Sequence, residues 1–397
     1  MKKSSKILTM CITLQLSKEQ CYTHMLTTFL ADLKDFRRGQ GQRYELHIVI
    51  LFCIMAICCN AKSFRQIHIF IKENLDKLSK DFTLKWKRAP AYTTIRNHIK
   101  GLDSDDIEGA FRAYTQHILP HYPKEKLGTL KHICVDGKVL CGSTDDSESK
   151  RAAQELSFFD TMTRLILAHV LIEEKTNEIP VFQQWLQDSE IQDAIYSADA
   201  LHCQKKTFEI AGEKAGLLIQ VKDNQSNLLE DIGQVIKLEE PSGKYVADMD
   251  YGHGRITNRS SEVYTTNITD HLLDEEWAGY IKTVIKIERK VQTKDTKSGN
   301  WNTTNETAIY ISNKLLSAEQ SHWIVKNHWG IENKNHYVRD VSLLEDAHKI
   351  RKTPFNYSVL RSFVLNILRK GNLNDIKNQL YKFSQNWSGL YSYPHII

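Results

Sequence analysis

The chain has eight cysteines in 397 residues and no CxxC pair among them. No His spacing completes a zinc ribbon or finger either, which argues against a zinc site. Scattered thiols fit a reduced, cytoplasmic protein better than a disulfide framework. A membrane-spanning run is also missing. The most apolar stretch, residues 47–59 (HIVILFCIMAICC), falls well short of the ~20 residues a spanning helix needs and reads as a buried helix. Residues 1–20 carry a short apolar run behind lysines but no small-residue cleavage site. There is no internal repeat and no low-complexity linker. What is present is ordinary globular material, 41% hydrophobic and 25% charged, enough for two or three domains with a real core.

The net charge of +5 hides an asymmetry. Residues 1–100 hold 18 Lys and Arg against 7 Asp and Glu, and residues 349–397 hold 8 against 1, giving +11 and +7. Residues 101–348 hold 27 against 40, or −13. Basic ends around an acidic centre suit a polyanion-binding protein whose middle concentrates carboxylates; ordinary variation of surface charge gives the same picture.

Periodicity predicts helices over residues 20–120: an amphipathic YTHMLTTFLADLKDF, the buried run, and SFRQIHIFIKENLDKL. A short basic helix follows Pro90, decorated by Thr93, Thr94, Arg96 and Lys100. Near Leu130 the texture changes. KHICVDGKVLCGS reads as strand, tight turn at Gly137, strand, with Asp136 at a strand end or in a plain Asp-Gly hairpin. ELSFFDTMTRLILAHVLIEE supplies two more strands and Glu178–Leu186 a short helix. AIYSADAL is a strand ending at Asp199, HCQKKTFEIAGEKAG a helix, and GLLIQVKDNQ a strand closed by Lys222 and Asn224. Strand–helix–strand order predicts an α/β sheet with sites at carboxyl strand ends, where both aspartates fall. Residues 230–315 alternate in period two and read as β-rich. NYSVLRSFVLNILRK is a C-terminal packing helix with Arg361, Arg369 and Lys370 outward.

Ser321–Arg351 is the most informative stretch. It has one Gly and no Pro, so a helix is predicted, and at ~100° per residue His328, Glu332, His336 and Arg339 share a face. A carboxylate flanked by imidazoles and a guanidinium suits a site where the acid holds a metal and the cations hold phosphate. A solvated, salt-bridged face is the plainer alternative. Trp323 and Trp329 read as packing residues.

At Asp136, Asp199 and Glu332 the chain resembles bacterial insertion-sequence transposases of the H-repeat-associated type, linked to Rhs elements. These belong to the wider DDE transposases. The matching segments are VDGK (135–138), EKTNEI (174–179), DALHCQ (199–204), VKDNQ (221–225), HGR (253–255) and HWGIENKNHYVRDVSLLED (328–346). FLADLKDFRRGQGQRYELHIVILF resembles the family's N-terminal region, so the likeness spans nearly the whole chain. It implies an α/β, ribonuclease-H-like catalytic core with a β-rich insertion, preceded by an α-helical N-terminal domain. The boundaries would be 1–125 (helical, DNA-binding), 126–229 (first part of the core), 230–315 (insertion) and 316–397 (core completion, with the Glu helix and the C-terminal helix). A related pattern places a Tyr and an Arg before the Glu and a Lys seven residues after it; Val325, His328 and Arg339 stand there instead.

The resemblance further implies that Asp136, Asp199 and Glu332 are catalytic and bind two Mg²⁺ (or Mn²⁺) ions. Such ions stabilise both the attacking and the leaving oxygen of an in-line phosphodiester displacement. Lys222, Lys326, His328 and Arg339 are candidate phosphate contacts or plain surface cations. His253 and Arg255 reach DNA ends or close a hairpin. Glu178 is expected near the site without an assigned role. The expected partner is double-stranded DNA, both element ends and target, bound by a homodimer in the cytoplasm at the nucleoid, with no membrane. Two other readings stay open: a catalytically silent DNA-binding relic, and a metal-dependent nuclease without strand transfer.

Overall fold

A computed structural model describes residues 25–119, 131–144, 151–173, 175–191, 193–252, 254–265, 275–295, 298–371 and 375–393. The chain opens with helices α1 (Met25–Leu30), α2 (Leu46–Cys58), α3 (Phe64–Glu73), α4 (Leu75–Asp81), α5 (Tyr92–Gly101) and α6 (Ser104–Ile118). Every residue of α2 except His47 is buried, as expected of a run with no polar face. Gly39–Cys58 is the one stretch among the described residues long and apolar enough to cross a membrane, and it is mostly covered by the fold itself. Asp103 caps α6 by accepting from the Asp105 and Asp106 amides.

The α/β part follows. Strands β1 (Lys131–Leu140), β2 (Ala153–Asp160) and β3 (Ile166–Ile172) lead to α7 (Glu178–Asp188), β4 (Ala194–Ala198), α8 (Lys205–Ala211), β5 (Gly216–Val221) and α9 (Ser226–Leu238). Then come β6 (Gly243–Val246), β7 (Asp250–Gly252), β8 (Arg255–Tyr264), β9 (Thr283–Lys294) and β10 (Trp301–Ser312). All ten strands form one mixed sheet in the order β3-β2-β1-β4-β5-β10-β9-β8-β6, with β7 paired to β8. β1, β4 and β5 run parallel, β3 runs in the same direction, and β2 between β1 and β3 is antiparallel to both. The strands of 243–312 are not a separate sheet: β10 pairs with β5, Ile309 opposite Val221.

The chain ends with α10 (Ala318–His328), α11 (Tyr337–Val341), α12 (Pro354–Lys370) and α13 (Ile376–Gln385). α12 is buried from Phe355 to Leu368 and shares one apolar core with α1–α6 and with Cys134, Phe159 and Ile166 of the sheet.

Three expectations are corrected. Residues 131–140 form one strand rather than a hairpin, because Gly137 stays in register opposite Leu156 of β2. The helix over 321–351 is broken: Glu332–His336 winds as a π-turn between α10 and α11, a wider turn frequent at functional sites. Arg361 points inward, pairing with Glu345 at 3.3 Å and bonding His348 Nδ1 at 2.6 Å. Arg369 also turns in, donating to the Lys334 carbonyl of the π-turn.

Candidate active site

Pairing of β1 with β4 ends at Cys134 opposite Ser197. Two residues further on each strand stand Asp136 and Asp199. Alternation puts Cys134 and Asp136 on one face of β1, and Ser197 and Asp199 on the same face beside them. That face lies under α10: Cys134 Sγ donates to the Asn327 carbonyl at 3.5 Å, and His132 meets Trp323 edge to face. Asp199 also starts a short 3₁₀ turn, its Oδ1 accepting the Leu201 amide at 3.1 Å.

α10 begins with a capping box of Ser317 and Gln320 and ends at His328. His328 Nδ1 lies 2.9 Å from Ser197 Oγ, which lies 2.8 Å from His132 Nε2, and His132 Nδ1 is 3.0 Å from Thr161 Oγ1. The chain of bonds fixes the ring of His328 above the two strand ends. Burial, then the neighbouring His328, drives the His132 pKa down to about 3, so His132 is neutral. Burial also lowers the pKa of His328, against the upward pull of Asp136 and Asp199. One turn past Glu332, His336 brings Nδ1 to 3.4 Å from Asp136 Oδ2. Glu332 is exposed and lies four residues from each of these histidines, both of which reach the aspartate strands.

Among the described residues no Lys or Arg pairs with Asp136, Asp199 or Glu332. Nor do three His, Cys, Asp or Glu side chains stand close enough together to hold an ion as they are. Buried polar atoms without a hydrogen bond include both ring nitrogens of His202 and, on the π-turn, Nε2 of His336 and the side-chain amide of Asn335. Partly exposed carboxylates left without protein cations are hard oxygen donors, the set Mg²⁺ and Mn²⁺ prefer. The residues therefore fit such ions, which would have to draw the side chains inward.

Glu178, the first residue of α7, joins the site. A Cβ on Gly137 would overlap its carboxylate, so the glycine of VDGK is where β1 lets Glu178 lie against the backbone beside Asp136. Glu178 Oε2 is also 3.5 Å from His202 Nε2. Spacing alone gave this residue no role; the Gly after Asp136 was the available signal.

The predicted DNA contacts divide. Lys222 is exposed just after β5. Arg255 is exposed at the β7–β8 hairpin, opposite Gly252; His253 lies outside the described residues. Lys326 is spoken for by Asp250 of β7 at 3.0 Å. Arg339 is a correction: fully buried, it bonds Glu155 at 2.6 Å, Glu345 at 2.8 Å and Ser358, and no phosphate can reach it. Burial works against the Glu345 charge, but Arg339, Arg361 and Lys138 win and hold its pKa at about 2. Lys138 is buried too, 2.7 Å from Asp340. Trp323 packs as expected, whereas Trp329 is 53% exposed beside the site.

Fold and site together define a class. The chain belongs to the DDE transposases: the family described as "Transposase DDE domain" matches residues 128–367, and "DDE_Tnp_1-associated" matches 27–115. Among its relatives is the H repeat-associated protein YhhI of Escherichia coli K12, 28% identical over 86% of this chain and 90% of that one. YncI of Escherichia coli O157:H7 is 28% identical over 89% and 88%. Both are provisionally named transposases. A looser structural likeness, TM-score 0.42 at 11% identity over 96% of this chain and 82% of the other, is to a piggyBac transposase in a synaptic complex with hairpin DNA. Transposition, a form of DNA recombination, is the process to which the family ties this chain.

Proposed function

We propose that this protein is the transposase of an insertion sequence, a divalent-metal-dependent enzyme that cuts DNA at its element's ends and transfers the freed strand into target DNA. The observation that carries the reading is that Asp136, in β1 just past its pairing with β4, and Asp199, just past the end of β4, share a face under a helix that sets His328 and His336 on either side of Glu332. The order β3-β2-β1-β4-β5, with β2 alone reversed, supports a ribonuclease-H-like core. Asp136, Asp199 and Glu332 would hold two Mg²⁺ or Mn²⁺ ions, with Glu178 beside them. Bound ions supply charge stabilisation for an in-line displacement at phosphorus.

The chain's own residues do the positioning. His336 orients the Asp136 carboxylate. His328, held neutral by burial, keeps a fixed ring at the strand ends without competing for the aspartates as a cation. Lys222 and Arg255 are exposed cations suited to the phosphate backbone. Duplex DNA, element end and target, is the substrate, bound by a homodimer at the nucleoid.

The test incubates the full chain with a duplex carrying its element end and Mg²⁺. Asp136→Asn, Asp199→Asn and Glu332→Gln should each cut ~10²–10⁴-fold more slowly, the loss of several kcal/mol of transition-state stabilisation, while still binding DNA. Cleavage undiminished in Asp136→Asn would remove that residue from the mechanism. Binding without cleavage by the unaltered chain would identify a silent relic, and cutting without joining a nuclease.

A further inference from the structure

Under Asp136 and Asp199 runs a line of polar side chains that a core tolerates only when it is fully bonded. It starts at Thr161, just past β2, and passes through His132 of β1 and Ser197 of β4 to His328 at the end of α10. Thr161, His132 and Ser197 are all buried. The steps are 3.0 Å from Thr161 Oγ1 to His132 Nδ1, 2.8 Å from His132 Nε2 to Ser197 Oγ, and 2.9 Å from Ser197 Oγ to His328 Nδ1. Each hydroxyl brings one proton, and so does the neutral His132 ring.

Where those protons lie follows from the first step. Among the described residues the other acceptor open to the Thr161 hydroxyl is the His132 carbonyl. It is 3.4 Å away and already takes the Thr161 amide at 3.2 Å. The hydroxyl proton therefore goes to His132 Nδ1. His132 then carries its own proton on Nε2 and donates it to Ser197 Oγ. Ser197 has one proton to pass on, and its choices are His328 Nδ1 at 2.9 Å and Cys134 Sγ, a weak acceptor, at 3.6 Å. With Nδ1 accepting, a neutral His328 holds its proton on Nε2, across the ring. No described residue bonds that nitrogen. The charges acting on the ring include those of Asp136 and Asp199.

We infer that Thr161, His132 and Ser197 are positioning residues that lock His328 as the Nε2–H tautomer, so that it meets the scissile phosphate as a neutral hydrogen-bond donor. It rests on the transposase reading for the identity of the acceptor, a non-bridging phosphate oxygen beside Asp136 and Asp199. The same proton keeps His328 out of the ligand set. A bare Nε2 there would be an imidazole ligand, the donor that suits zinc and other transition metals rather than Mg²⁺. Three residues that touch neither DNA nor ion thus decide what the fourth presents, as outer partners do for ligating histidines.

The experiment reads the tautomer itself. Two-bond ¹H–¹⁵N spectra of the full chain, labelled at its histidine nitrogens and held in EDTA without DNA, show which nitrogen of each ring is protonated. His132→Gln and His328→Gln assign the signals. In the unaltered chain both rings should show a protonated Nε2 and a bare Nδ1. Thr161→Val removes the first hydroxyl at similar volume and far from the carboxylates. It should let His328 average between its two tautomers, and Thr161→Ser should restore the parent spectrum. Ser197→Ala cuts the line beside the ring. With an element-end duplex and Mg²⁺ it should lower kcat by about 10–100-fold at unchanged KM, while Thr161→Val lowers kcat in proportion to the Nε2–H form it loses. A bare Nε2 on His328 in the unaltered chain overturns the inference. So does a His328 signal that neither Thr161→Val nor Ser197→Ala moves, or full kcat in a variant that has lost the tautomer. Asp136→Asn, run in parallel, separates the two readings. Normal cleavage by that variant beside the expected spectra removes the catalytic assignment and leaves the tautomer standing. Abolished cleavage beside a bare Nε2 removes the tautomer alone.

Discussion

A missing side chain sets the spacing between β1 and α7. Asn177 caps α7 by accepting the Ile179 amide, and Glu178 follows in the first turn, where negative charge is favoured. Its carboxylate then occupies the space that a Cβ on residue 137 would take. Gly137 is otherwise a poor strand residue, paired opposite Leu156 in mid-sheet. The close approach is therefore the physical reason for glycine next to Asp136. Gly137→Ala should lower stability by about 1–3 kcal/mol, the usual cost of overpacking, and should also slow cleavage by displacing Glu178. Adding Glu178→Ala should recover much of the stability but not the cleavage. Denaturant titration of Gly137→Ala, Glu178→Ala and the double variant measures the coupling. If Gly137→Ala unfolds at the same midpoint as the parent, the carboxylate moves aside freely and the constraint does not exist.

At the scale of elements, the sequence and the structure agree where burial repeats locally. The apolar run of α2, the strands β2 to β5 and the period-two segments of β8 to β10 all follow from alternation or from unbroken apolarity. Asp199 was legible for the same reason, since the end of β4 can be read from where its apolar run stops, whereas Asp136 stands inside β1 and only the pairing with β4 stops short of it. What local pattern could not show was pairing across the chain. On a straight helix Arg339 shares a face with Glu332, which made a phosphate contact reasonable. The π-turn shifts that phase, and the guanidinium instead meets Glu155, Glu345 and Ser358. With Lys138 on Asp340, these pairs bind β1, β2, α11 and α12 into one assembly beside the turn that carries Glu332. Arg339→Met leaves the buried Glu155 without its cation and Glu345 with only Arg361 and Lys138, and should cost about 3–5 kcal/mol. Arg339→Lys, which keeps the charge without the fork, should cost less, and neither should alter the salt dependence of DNA binding. A normally stable Arg339→Lys protein whose slope falls by about 0.9 would instead make Arg339 a phosphate contact.

At the scale of the whole molecule, a boundary at residue 125 would cut through a shared core. α12 is buried from Phe355 to Leu368, and it packs on α2 and α6 as well as on β2 and β3. Its polar residues stitch both sides together. The Asn356 amide donates to the Ile99 and Leu102 carbonyls at 3.0 and 2.9 Å, and Asn366 bonds Thr115, the Ile166 amide and the Ile166 carbonyl. Removing α1–α6 would leave Val359, Leu360, Phe363 and Val364 without their helical partners, and would strip Asn356 of the Ile99 and Leu102 carbonyls and Asn366 of Thr115. At ~1.5–3 kcal/mol for each large apolar side chain returned to water, these four alone forfeit ~6–12 kcal/mol, comparable to the ~5–15 kcal/mol that holds a typical domain folded. A chain beginning at residue 119 should therefore fail to fold, showing no cooperative melt and rapid proteolysis of α12. For that reason the DNA contacts proposed for the N-terminal helices are better mapped by exposed point variants than by deletion. If the truncated chain is soluble, melts cooperatively and protects α12 from protease, the helical region is a separate domain and its shared core contributes little.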